Sequence, residues 1–129
     1  MFRTGKLAAA VLAAVVLVAC SQPIEVSTIQ IGRSLNVDQS VASQTTTFKP
    51  NETVYVSALN SARGDGTIQV RWYMGSQLLS EREKRVSFKG AGATEFNISS
   101  ATGFPIGDYS VEVIVNGTPV GTRKFNVSK

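Results

Sequence analysis

The chain carries one thiol, Cys20, and no histidine. Serine and cysteine nucleophiles of the triad type pass their proton through an imidazole, and most zinc sites use one as ligand, so both classes drop out. The carboxylates Asp65, Glu81, Glu83, Glu95, Asp108 and Glu112 remain. Glycoside hydrolysis needs two of them flanking one cleft, about 5–10 Å apart. No spacing here suggests such a pair, and Glu95 and Glu112 read as solvent-face strand positions. A small carboxylate hydrolase is therefore the weakest reading, and no enzyme activity is expected. Gly64-Asp65-Gly66 is only a fragment of a calcium loop, which needs several clustered oxygen ligands. No metal and no cofactor is expected.

Two surface motifs could bind rather than react. Arg63-Gly64-Asp65 is the tripeptide that integrin ligands display, and it falls in a predicted loop between strands. Gly and Asp are also what a tight turn needs, and the turn is the preferred reading; the alternative is a surface adhesin. Glu81-Arg82-Glu83-Lys84-Arg85 interleaves both signs, as a solvated connection or a protected sheet edge does.

Cys20 stands where an apolar run ends. Arg3 and Lys6 precede an unbroken 13-residue run, Leu7 to Ala19. As a helix it would be roughly 20 Å long, against about 30 Å for a bilayer core. That is short for a span and right for the apolar region of a signal peptide. The thiol at its end is the terminus of a membrane span, a lone reactive thiol, or a point of lipid attachment.

Leu17-Val18-Ala19-Cys20 resembles the lipobox of bacterial lipoproteins at all four positions. The resemblance implies cleavage between Ala19 and Cys20, with Leu17, Val18 and Ala19 recognised by the signal peptidase. It also implies a diacylglyceryl and an N-acyl group on Cys20. Several acyl chains on one residue hold stably where a single chain does not. Ser21 rather than Asp follows, which in that family implies the outer membrane. The expected address is the bacterial cell envelope, lipid-anchored and facing the periplasm, with membrane lipid as one partner and an envelope protein as another. Removing Arg3 and Lys6 lowers the net charge from +4 to +2. No basic stripe is present, and no nucleic-acid partner is expected.

The elements that must carry these residues are strands. Val54/Val56/Ala58, Ile68/Val70/Trp72/Met74 and Tyr109/Val111/Val113/Val115 alternate with more polar or outward-facing neighbours, and Phe96/Ile98 and Phe125/Val127 make shorter pairs. Asn116-Gly117 between two such runs predicts a two-residue hairpin. The expected strands are 29–35, 53–60, 67–74, 84–88, 94–99, 108–115 and 120–127. Residues 1–19 read as signal peptide, 20–47 as lipidated N-terminus, tether and first strand, and 48–129 as the folded domain. Tyr55, Tyr73, Leu59, Ile114 and Val120 read as an apolar outer face.

Seven short strands fit an all-β antiparallel sandwich. Trp72 in mid-strand and Gly107-Asp108-Tyr109 opening another strand resemble the immunoglobulin-like fold with its buried tryptophan and tyrosine corner. Val111 stands where antibody domains have a cysteine, so the resemblance is to disulfide-free relatives. TEFNISSATGFPIGDYSVEVIVNG is similar to uncharacterised bacterial envelope lipoproteins. That resemblance implies a non-catalytic binding or structural module.

Overall fold

The computed structural model describes residues 22–129; Cys20, its flanking residues and the expected signal-peptide helix lie outside them. Eight strands follow: β1 Thr28–Gly32, β2 Thr47–Phe48, β3 Val54–Asn60, β4 Gly64–Met74, β5 Gln77–Phe88, β6 Gly92–Ile98, β7 Gly107–Val115 and β8 Thr118–Val127. They form two sheets, β1-β3-β6 and β2-β8-β7-β4-β5. All pairings are antiparallel except β2 with β8.

Alternation sets the packing. Val54, Val56 and Ala58 of β3 and Phe96 of β6 face Ile68, Val70 and Trp72 of β4 and Val111 and Val113 of β7 in one core, each at most 3% exposed. Phe125 of β8 is its aromatic hub. It stacks on Tyr109 at 5.3 Å and meets Phe48 and Trp72 edge-on at 5.5 and 6.2 Å. Tyr109 Oη donates to Pro105 O at 2.6 Å, the tie expected of a tyrosine at that position. The hairpin Asn116-Gly117 has φ of 50° and 84°, as a turn between right-twisted strands requires.

Three boundaries differ from the sequence expectation. The charged run Glu81–Arg85 is not a connection between strands but the middle of β5, a twelve-residue edge strand paired only with β4. Only its end, Val86 and Phe88, packs against the core, which is the part the expected strand 84–88 covers. An edge strand has one neighbour and a solvated flank, so the rest can be charged and leave no apolar alternation to read.

The fold also starts earlier than Phe48. β1 pairs with β3 along five residues, and Ile24 is 2% exposed in the core. Residues 33–43, expected as the end of the first strand to 35 and then tether, fold back as a hairpin over the outer face of the three-stranded sheet. Arg33 N bonds Ser43 O, Ala42 N bonds Ser34 O, and Val41 N bonds the Gln30 side chain. Val41 is buried there, and Ser57 beneath is fully covered, its hydroxyl donating to Gln39 O. Arg33 fastens the base of this flap, with Nε 3.0 Å from Glu52 Oε2 and Nη2 donating to Thr47 O at 2.9 Å.

The expected apolar outer face divides between the sheets. Tyr55 and Leu59 lie on the outer face of one, Tyr73 and Ile114 on that of the other. Ile114 is buried there and Val120 is exposed.

Candidate functional site

The sandwich receives the N-terminal segment at one end, and the residues that receive it are Gly64, Asp65 and Gly66. β4 begins at Gly64, beyond the reach of β7, whose last partner on β4 is Ile68. The vacant backbone positions of Asp65 are taken by the N-terminal segment. Asp65 N donates to Gln22 O and Ile24 N donates to Asp65 O, both at 2.8 Å, closing a parallel bridge between Pro23 and Asp65. The segment then crosses to the other sheet, where Ser27 N bonds Leu59 O at 2.8 Å and β1 starts.

Glycine is required on both sides of Asp65 because the segment lies against the backbone. A Cβ on Gly64 would fall 2.7 Å from Ile24 Cα and 2.9 Å from Pro23 O. A Cβ on Gly66 would meet the Asn116 amide at 2.5 Å and Ile24 Cγ2 at 2.9 Å. Close approach of a second backbone is a recurrent use of glycine within a strand. Arg63-Gly64-Asp65 is therefore not a protruding loop. Gly64 is buried in β4, and Asp65 Oδ1 accepts from Ser87 Oγ at 2.6 Å. Only Arg63 belongs to the exposed turn.

Around this seam, Arg63 and Lys89 share with Gln22 a shallow depression that Asp65, Ser87 and Phe88 complete. Asn60 ties the two turns that supply them, its Nδ2 donating to Ala62 O and Gly90 O at 3.0 Å each.

Of the remaining carboxylates, Glu81, Glu112 and Glu95 are struts. Arg71 sits on the outer face of the five-stranded sheet between Glu81 of β5 (2.7 Å) and Glu112 of β7 (3.9 Å). The Glu81 bond raises the guanidinium pKa above its ordinary value. Glu95 pairs with Lys84 at 3.7 Å. Among the described residues no three His, Cys, Asp or Glu side chains are grouped to hold a metal, and no helix is long and apolar enough to cross a membrane.

A second hollow of about 550 Å³ lies at the other end of the five-stranded sheet, between Gly75, Asp108, Ser110, Lys124 and Asn126. No sequence motif pointed to it. Its lining is set by strand pairing, Asp108 opposite Asn126 and Ser110 opposite Lys124, which local patterns do not reveal.

No protein-family model matches the chain, and neither does any curated protein. Solved structures do. The chain is similar to an immunoglobulin-like protein of Pseudomonas aeruginosa, with a TM-score of 0.55 and 15% identity over 82% of this chain and 95% of that one. It is similar to part of a cycloisomaltooligosaccharide glucanotransferase of Paenibacillus sp., with a TM-score of 0.59 and 16% identity over 84% of this chain. It spans only 14% of that enzyme's length. The C-terminal domain of wzt matches with a TM-score of 0.51 and 13% identity, over 84% of this chain and 76% of that one. At such identities the likeness is one of fold: an all-β sandwich of two sheets, of a kind that also occurs as a small part of larger enzymes.

Proposed function

We propose that this chain is a lipoprotein of the bacterial envelope, acylated on Cys20 after cleavage behind Ala19, whose immunoglobulin-like sandwich is a non-catalytic binding or structural module. The lipobox Leu17-Val18-Ala19-Cys20 supports the anchor. The observation that carries the non-catalytic reading is the employment of the acidic groups. Glu81 and Glu112 are both engaged by one guanidinium on an open sheet face, Glu95 by Lys84, and Asp65 by Ser87. A general acid or nucleophile pair needs two carboxylates facing one substrate cleft; these four brace strands instead, and Asp108, which lines the hollow at the far end, meets no second carboxylate among the described residues that line it. The activity of the glucanotransferase does not transfer, since the likeness is to a small fraction of that chain.

Membrane fractionation tests the reading. Wild-type chain should sediment with membranes and leave them only with detergent, whereas Cys20→Ser should accumulate unprocessed and unacylated. Identical fractionation and identical mobility of the two would refute the lipid anchor.

A further inference from the structure

The sequence reads 20–47 as lipidated N-terminus, tether and first strand, yet Gln22, before any tether, is already hydrogen-bonded into the sandwich. One residue, Ser21, lies between it and Cys20, and two Cα steps cover at most about 7.6 Å. Acylation of Cys20, as proposed above, therefore leaves the domain no length of chain by which to stand off from the bilayer. The end that receives Gln22 must lie within a few ångströms of the headgroups.

The chemistry of that end suits a lipid surface. Arg63 and Lys89 are exposed beside Gln22 and line one depression with it, and Arg85 of β5 lies opposite Thr67, three positions before the end of that strand. The nearby carboxylates are Asp65, which accepts from Ser87, and the exposed Glu25. A basic group acts on anionic headgroups within about one Debye length, roughly 8 Å at physiological salt. The geometry holds Arg63 and Lys89 inside that range.

We propose that the sandwich has no tether and sits end-on against the membrane, with Arg63 and Lys89 on anionic headgroups. Its long axis then stands off the surface. β4 runs from Gly64 at the membrane end to Met74, roughly 33 Å away at the usual strand rise, and carries the Gly75-Ser76 turn at the far end. The hollow lined by Asp108 and Lys124 lies at that far end, where a partner in the periplasm can reach it.

The test uses the full chain, processed in a bacterial host and reconstituted into phosphatidylglycerol-containing vesicles that include a nickel-chelating lipid. Ala62→Cys and Ser76→Cys each place a nitroxide on an exposed turn, one at each end. Acylated Cys20 offers no free thiol, so one label per chain is expected. Nickel should relax the label at 62 severalfold more than that at 76, and adding Arg63→Glu and Lys89→Glu should shrink the difference. Equal relaxation at the two positions, or no response to the charge reversals, would overturn the end-on seat while leaving the anchor intact. Two labels per chain with no flotation of the protein would remove the anchor, and this inference with it.

Discussion

Gly64 and Ile24 lie backbone against backbone, with no room for a Cβ between them: an added methyl would stand 2.7 Å from Ile24 Cα. This contact turns an integrin-like tripeptide into the clasp of an incoming strand. It also makes Gln22, Pro23 and Ile24 part of the fold.

Gly64→Val should force that segment off Asp65. Overpacking of this kind costs about 1–3 kcal/mol. Urea denaturation should show the loss. Hydrogen exchange should show faster exchange at the Ile24 and Asp65 amides, with β7 amides of the core little changed relative to global stability. Unchanged protection at Ile24 would mean the segment is held elsewhere.

The clasp was illegible in the sequence for a physical reason. A glycine pair around one aspartate reads as a turn because turns and close backbone approaches call for the same residue. The approaching partner, Pro23-Ile24, is about forty positions away along the chain. The core strands were legible, since Ile68, Val70 and Trp72 alternate with polar neighbours and are buried on one face. So was the Tyr109 tie to Pro105, which the Gly107-Asp108-Tyr109 pattern announces. Residues 77–83 of β5 and the 33–43 flap were not, although the end of β5, 84–88, was. The first is the charged part of an edge strand, which needs no apolar face, and the second is held by backbone bonds and one buried valine, Val41, beneath a polar composition.

Burial raises the Tyr109 pKa. Below the unfolded-state value near 10 the phenol is neutral in both states, so stability is flat there with respect to this group. As pH rises through that value, the unfolded chain releases the proton first and stability falls until the folded pKa is passed. Thermal melts should therefore decline above about pH 10. Tyr109→Phe should lose that decline and also cost about 1–2 kcal/mol at neutral pH, because Pro105 O loses its donor. A pH response identical in the two chains would assign the decline to other groups.

Lys84 and Arg123 close the two flanks of the sandwich. Both sit at inward positions on the five-stranded sheet. Lys84 lies over Phe96 at 4.9 Å and donates to Glu95 O; Arg123 Nε donates to Ile29 O at 3.1 Å. Inward charges and a mixed-sign edge oppose strand addition. Replacing Glu81, Glu83, Lys84 and Arg85 by threonine should expose a β-prone edge. Sedimentation velocity should then show self-association at concentrations where wild type stays at one size. An unchanged sedimentation coefficient would mean that the charges do not guard β5.

In the proposed lipoprotein the folded domain follows directly on an acylated Cys20. The intact mass of the membrane-extracted chain tests it most directly. The expected species begins at Cys20 and carries additional mass in increments of a diacylglyceryl and an acyl group. A chain that retains residues 1–19, or one cut elsewhere with Cys20 free, would contradict it.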